Sequence, residues 1–368
     1  MDNSRIIIAG GGTGGHLFPA IAIGEEIKER FPKARIHFIG SDFGLEAKVF
    51  PVKDLLHTLL PIRGLQRGLS VGSILKNLIL PYRIIRSLLK VSKLFKEFNP
   101  TLVIGTGGYA SAIPLYMATM QKKSIPIVLQ EQNSFPGITT RWFSKKADLI
   151  CCAFKTEDLD LNNKLVITGN PIRSNIISGD RVLALKVYDL DIQKNTLFVF
   201  GGSQGSAILN KSLEGIINKF DNTSIQVLWQ TGDNDYNTYK KYKSDTIKIV
   251  PFINDMAAAY ALSDLVVCRS GALTLSEVTT CGKPSILIPF ASAAGNHQMK
   301  NAKTLYQAGA SILIEEKDLN TNKLFKNINY LINNKKTLKK MSIAAKVLGK
   351  PHATKKITDH VIDMVSNV

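Results

Sequence analysis

Short, almost uninterrupted apolar runs punctuate this chain. They read as strands at Arg5–Ala9, Ile36–Ile39, Leu102–Gly105, Ile125–Gln130, Leu149–Cys152 and Val166–Thr168 in the first half. In the second half they fall at Thr196–Phe200, Gln226–Gln230, Lys248–Val250, Leu265–Cys268, Ser285–Ile288 and Ser311–Ile314. A strand with one wet face alternates apolar and polar residues; these do not, so both faces are expected to be covered. Stretches with apolar residues at helical spacing lie between them. Strand–helix alternation of this kind predicts parallel sheets with right-handed crossovers.

The two halves repeat one plan. Each opens with a buried strand that runs into a glycine-rich loop and then a helix, at Ile6–His16 and again at Phe198–Ser206. The expected fold class is α/β, with two Rossmann-like domains over residues 1–170 and 171–350. The break falls in the turn residues Gly169–Arg173. A last helix, within residues 351–368, follows Gly349 and Pro351, and the pattern does not say which domain it packs on. Open α/β sheets take ligands beyond the carboxyl ends of their strands. The expected site is therefore a central cleft faced by the loops of both sheets.

A chain of 368 residues, 45% hydrophobic and 21% charged, can fill two cores. Its formal net charge of +18 favours anionic partners, unless lysines such as Lys335, Lys336, Lys339 and Lys340 are simply spread over wet faces. Leu55–Lys96 holds no acidic residue. There Arg83, Arg86, Lys90 and Lys93 share a helical face, with Arg63, Arg67 and Lys76 upstream, and Ile74, Leu75, Leu78, Ile79, Ile84, Ile85, Leu88, Leu89, Leu94 and Phe95 recur at helical spacing. Such a segment is either a sheet-covering helix with a solvated face or an element that meets an anionic membrane surface; the lack of acids favours the second. Aliphatic rather than aromatic side chains interleave with the bases, so nucleic acid is not the expected partner. Met1–Ala9 runs straight into a strand without a leader pattern, and no apolar run approaches the ~20 residues that span a bilayer. Membrane contact would be peripheral. Cys151, Cys152, Cys268 and Cys281 form no C-x-x-C pair and suit buried thiols in a reduced compartment.

Several loops carry candidate chemistry. Gly10–His16 satisfies G-x-G-x-x-G through Gly10, Gly12 and Gly15, and the helix behind it offers N–H groups to an anion. Dinucleotide enzymes share the pattern but also want an acid ending the second strand, where this chain has Ile39-Gly40-Ser41. His16, at the loop-to-helix junction, suits a general base or a capping histidine. Phe18-Pro19-Ala20 reads as the helix start. Gly201–Ser206 is a second loop suited to a diphosphate. In Arg269–Glu277 a small-residue turn leads into a helix, where Glu277 can take both hydroxyls of a ribose or close a capping box with Thr274. Three D-x-D strings, Asp158–Asp160, Asp189–Asp191 and Asp233–Asp235, read as solvated loop acids, and no metal site or cofactor is expected.

Taken in order, GGGTGGH, GTGGYAS (Gly105–Ser111), EQNSFPG (Glu131–Gly137), GNPIR (Gly169–Arg173), GGSQGS, FINDMAAAY (Phe252–Tyr260) and CRSGALTLSE (Cys268–Glu277) resemble one family along nearly the whole chain. That is the bacterial peptidoglycan MurG family, the UDP-N-acetylglucosamine–N-acetylmuramyl-(pentapeptide) pyrophosphoryl-undecaprenol N-acetylglucosaminyltransferases. The resemblance implies a GT-B fold, UDP-GlcNAc as donor and lipid I as acceptor. It implies inverting transfer to the muramyl 4-hydroxyl, giving lipid II at the cytoplasmic face of the membrane. By motif, His16 is the candidate base. Thr13, Gly14, Gly15, Asn133, Arg173, Ser203, Ile253, Ala272, Leu273, Thr274, Leu275, Ser276, Glu277 and Gln298 are carried over as donor contacts. Gly107, Gly108, Tyr109 and Glu131 are carried over as acceptor contacts. Two departures stand out: Gln130 replaces the usual histidine before Glu-Gln-Asn, and Ser111-Ala112-Ile113-Pro114 replaces Ser-Gly-Pro in a loop that faces the acceptor. The alternatives are another GT-B lipid glycosyltransferase, a UDP-GlcNAc 2-epimerase, or a nucleotide- or nucleic-acid-binding module.

Overall fold

The structure, a computed structural model, describes residues 4–64, 77–154, 164–221 and 223–366, so the expectations at Arg67, Ile74, Leu75, Lys76, Asp158 and Asp160 lie outside the described residues. The chain forms two compact units, Met1–Ile172 with His352–Val368, and Arg173–Pro351.

The first unit is built on seven strands: β1 (Arg5–Ala9), β2 (Arg35–Ser41), β3 (His57–Leu60), β4 (Leu102–Gly105), β5 (Ile127–Glu131), β6 (Leu149–Cys152) and β7 (Leu165–Ile167). They pair in the order β3-β2-β1-β4-β5-β6-β7, all parallel. Six more make the second sheet: β8 (Asn195–Phe200), β9 (Ile225–Gln230), β10 (Ile247–Val250), β11 (Leu265–Cys268), β12 (Ser285–Leu287) and β13 (Ser311–Leu313). Their order is β10-β9-β8-β11-β12-β13, again all parallel.

The continuous apolar runs have the expected cause. Along β1, Ile7 and Ala9 pack into one core with Val103 and Leu129, while Ile6 and Ile8 pack into another with Leu17 and Ile27. The expected strand at Ile125 begins instead at Ile127, after Pro126, which has no N–H to give a ladder. One strand escaped the pattern. β3 lies in the stretch read as the start of the basic helical segment, of which the helix Leu80–Phe98 is a later part. As an edge strand β3 is half-buried up to Leu60 and lacks the apolar run that marks an interior strand.

The C-terminal helix Ala353–Ser366 packs on the first unit. Ile357 and Val361 are fully buried in the core that holds Ile27 and Phe38, and Asp359 pairs with Arg30 at 2.6 Å. The chain thus returns to its first unit after completing the second. No helix among the described residues is long and apolar enough to cross a membrane.

Candidate active site

In the first unit, loops from the carboxyl ends of β1, β4 and β5 meet at His16. The helix carrying it runs from Gly14 to Arg30, so Pro19 lies inside the helix and not at its start. The proline forgoes only the bond to the Gly15 carbonyl, in the opening turns. His16 is half-buried, and its Nδ1 lies 3.0 Å from the Thr106 carbonyl and 3.0 Å from Gln132 Oε1. Thr106 also bonds the His16 carbonyl through Oγ1, at 2.8 Å.

Gly107 and Gly108, both at positive φ (95° and 79°), let this corner close. A Cβ on Gly107 would stand 2.7 Å from His16 Nδ1, and one on Gly108 2.1 Å from the Gly11 carbonyl oxygen. No other residue fits either place. Tyr109, 42% exposed, opens the helix Tyr109–Thr119. Ser111–Pro114 lies within that helix and not in a loop, with Ser111, Ile113 and Pro114 buried. These departures from the family pattern therefore fall mainly on packing residues.

Two carboxylates fold the surrounding loops. Glu131 is 2% exposed; its Oε1 accepts from the Asn133 N–H and its Oε2 from the Gly137 N–H and Thr140 Oγ1, at 3.0, 2.9 and 2.6 Å. Glu46, fully buried, accepts from the N–H groups of Gly12 and Ser41 at 2.7 and 2.9 Å. An amide of the first glycine-rich loop is thus already bonded to a protein anion.

In the second unit the candidate groups, Arg173 ahead of β8 excepted, sit on the loops and helix starts that follow its strands. Gly205 (φ 77°) and Gly232 (φ 86°) press the β8 and β9 loops together, backbone on backbone. A Cβ on either would approach a carbonyl oxygen of the other loop to 2.0 or 2.4 Å. Gln230, 3% exposed, clasps two loops: its amide donates to the Gly202 carbonyl and its Oε1 accepts from the Ile253 N–H, both at 2.9 Å. Ile253 is 2% exposed, with its side chain in the core.

Arg173 and Glu277, far apart in sequence, come together. Arg173 Nε lies 3.8 Å from Glu277 Oε1, and the Tyr260 hydroxyl donates to Glu277 Oε2 at 3.2 Å. Burial pushes the Glu277 pKa up, against the opposing pull of Arg173 and the Tyr260 hydrogen bond. Burial, then the Glu277 charge, raises Tyr260 well above its ordinary value, so it stays a phenol donor. The capping-box reading of Glu277 is overturned. Its helix is Ala272–Thr280 with Gly271 at the N-cap and no side-chain cap, which places Thr274 and Glu277 both inside it.

The N-terminal domain of glycosyltransferase family 28 matches residues 6–151, and its C-terminal domain residues 196–358. A protein of Christiangramia forsetii named UDP-N-acetylglucosamine–N-acetylmuramyl-(pentapeptide) pyrophosphoryl-undecaprenol N-acetylglucosamine transferase is 39% identical over 366 residues, covering 99% of this chain and 98% of the relative. The protein of that name in Finegoldia magna is 40% identical, covering 98% of each chain. Among solved structures, the crystal structure of Acinetobacter baumannii MurG superposes with a TM-score of 0.73 at 25% identity, covering 98% of this chain and 99% of that one. The chain belongs to the MurG family.

Within this MurG-family chain the other candidates divide by burial. Thr13 is exposed, and Gly15, Asn133, Ser203, Leu273, Thr274, Ser276 and Gln298 are half-buried. Gly14, Ala272 and Leu275 are buried, the last with 2% exposure in the packed face of its helix. Gln298 Oε1 accepts from the Phe290 N–H at 3.0 Å, and its carbonyl accepts from Ser270 Oγ at 2.8 Å. The third D-x-D string is corrected: Asp233 and Asp235 open a helix, and Asp235 accepts from the buried Asn210 amide at 2.8 Å. Asp189 is a surface acid paired with Lys248 at 2.8 Å. Sequence reasoning missed Glu46, Gln132, Gln230 and the Arg269–Glu316 pair, which at 2.5 Å holds the β11 and β13 loops together. All four act through partners remote along the chain.

Proposed function

We propose that this N-acetylglucosaminyltransferase moves GlcNAc from UDP-GlcNAc to the muramyl 4-hydroxyl of undecaprenyl-pyrophosphoryl-MurNAc-pentapeptide, turning lipid I into lipid II. The observation that carries the substrates is kinship along the full chain, at 39% identity over 366 residues, with transferases named for them. The first unit supplies the acceptor base. The second supplies most of the donor contacts.

Transfer is a single displacement with inversion. The acceptor O–H bond breaks and its proton passes to His16. The freed electron pair forms the new bond to C1 of GlcNAc, and the C1–O bond breaks with its pair leaving on UDP. His16 Nδ1 is engaged by two oxygens, so Nε2 takes the proton. The negative charge growing on UDP is met by Arg173, by Ser203 and by the amino ends of the helices Ala207–Glu214 and Ala272–Thr280. Glu277 holds the ribose hydroxyls. Ile253 meets the uracil through its backbone carbonyl, since its N–H is spent on Gln230. Thr13, Gly14, Gly15, Asn133, Gln298 and the remaining residues of Ala272–Glu277 complete the donor contacts. Gly107, Gly108 and Tyr109 face the acceptor, and Glu131 shapes their surroundings.

The acceptor is anchored in a bilayer, and we assign membrane contact, at the cytoplasmic face, to the helix Leu80–Phe98. Its inner side buries Ser87, Val91, Phe95 and Phe98. Tyr82, Ile85 and Leu89, with Leu78 ahead of them, form an opposite stripe 57–70% exposed, flanked by Arg83, Arg86 and Lys93.

The test is transfer of labelled GlcNAc to a lipid I analogue in the presence of EDTA, with His16→Ala alongside. The wild type forms product. The variant binds UDP-GlcNAc but turns over ~10²–10⁴-fold more slowly, the usual contribution of a general base. Near-normal turnover by the variant removes His16 from that role; an unlabelled analogue with donor bound overturns the acceptor.

A further inference from the structure

We infer that Gln132 is a positioning residue that fixes His16 in its Nδ1–H tautomer, and that Gln130 and Asn170 hold Gln132 in the orientation this requires. The inference rests on the reading of His16 as the base and says how that base is kept ready.

The four residues form a hydrogen-bond chain whose direction is set at its origin. The backbone carbonyl of Gln132 can only accept, so the Asn170 amide nitrogen faces it, at 3.2 Å. Asn170 Oδ1 then accepts from Gln130 Nε2, at 3.2 Å. Gln130 Oε1 is left to accept from Gln132 Nε2, in a short contact. Two further acceptors, the carbonyls of Thr106 at 2.7 Å and Gln130 at 3.2 Å, face that same Gln132 nitrogen. Gln132 Oε1 is therefore the atom turned towards His16 Nδ1, where the Thr106 carbonyl also arrives. Both partners of Nδ1 are acceptors, so Nδ1 carries the hydrogen, and a neutral ring keeps its lone pair on Nε2. Thr106, Gln130, Gln132 and Asn170 are each at most 2% exposed, so no water competes, and flipping any one amide would set donor against donor.

A histidine is commonly oriented by a carboxylate, but here the adjacent carboxylate, Glu131, has both oxygens committed to the Asn133–Thr140 loop. Amides relay direction and not protons. Gln130, standing where the family usually has histidine, suits an orienting chain and could not serve in a proton wire.

The experiment uses the full-length protein with ring-15N histidine and no substrate. His16 is assigned among the six histidines by the signal lost in His16→Gln. Wild-type His16 shows Nδ1 protonated and Nε2 bare when neutral; an Nε2–H ring overturns the inference without any variant. Gln132→Glu puts an oxygen where Nε2 faced three acceptors, so its carboxyl keeps a proton to donate there while the other oxygen still accepts from Nδ1, and the Nδ1–H ring is retained. Gln132→Leu removes the acceptor, mixes the tautomers and lowers kcat about tenfold, with donor KM within about twofold. A merely structural Gln132 leaves the His16 ring of Gln132→Leu as fully Nδ1–H as in the wild type, and that result overturns the inference. If His16→Gln turns over normally while the wild-type ring is Nδ1–H, the base assignment falls and the tautomer inference stands.

Discussion

Glu277 has almost no access to water, yet it sits on a loop-facing helix with Arg173 on one side and Tyr260 on the other. A buried acid with two partners can be an internal brace or a ligand contact, and kinetics separates the two. As a ribose contact made equally in ground and transition states, its loss in Glu277→Ala raises the donor KM by about tenfold or more and leaves kcat within a few-fold. A lower melting temperature with an unchanged donor KM would make it a brace alone. This residue also shows what the sequence conceals. The Thr274-to-Glu277 spacing fits a capping box, but the same spacing occurs inside any helix, and only the true start at Ala272 decides between them. His16, Arg173 and Glu277 stood out as candidates because each follows a glycine- or proline-bearing turn after an apolar strand, Glu277 from within the helix that the turn opens. Glu46, Gln132 and Gln230 were not. Their roles lie in bonds to residues remote in sequence, 116 positions away for Gln132 and His16, and no local pattern records such a pairing.

Strands were legible where they carry an apolar run, the edge strands β7, β10 and β13 included. Interior strands announce themselves because both faces need apolar residues, whereas β3 at the sheet edge carries His57 and Thr58 and passed as part of a basic segment. The β2–β3 edge carries a prediction of its own. His37 on β2 is 7% exposed, bonds Thr58 Oγ1 at 2.8 Å and packs edge-on against Phe98. Burial, then the neighbouring His57 and Arg35, lowers its pKa to about 4. The unfolded chain holds that ring near 6.5. Between the two values the unfolded state binds the extra proton, so acidification pulls the equilibrium towards unfolding. Stability supplied by the neutral ring is complete above pH ~6.5 and is lost progressively towards pH ~4, at up to ~1.4 kcal/mol per unit. Denaturant midpoints at the two ends of this window should therefore differ more for the wild type than for His37→Gln. Equal differences would show that His37 does not titrate with folding.

At the scale of the whole molecule, charge and the membrane question become one argument. The formal charge of +18 is larger than solubility needs, and a uniformly wet lysine coat would account for it without any partner. The helix Leu80–Phe98 makes a partner the better account. Its outer stripe of Tyr82, Ile85 and Leu89 costs free energy in water and stands among bases, the combination that anionic lipid rewards. Each base near such a surface contributes ~1 kcal/mol, and each inserted Leu or Ile ~1.5–3 kcal/mol. The charge term falls with salt and the apolar term does not. Binding to phosphatidylglycerol vesicles should accordingly weaken as ionic strength rises towards ~1 M, where the Debye length shrinks to ~3 Å, without vanishing. Ile85→Asp with Leu89→Asp should reduce it by at least ~100-fold at any salt while leaving the melting temperature unchanged, because neither side chain is in the core. Equal binding to neutral vesicles, or a double variant that binds as well as the wild type, would return the +18 charge to a solvated coat and leave the acceptor to be reached by some other surface.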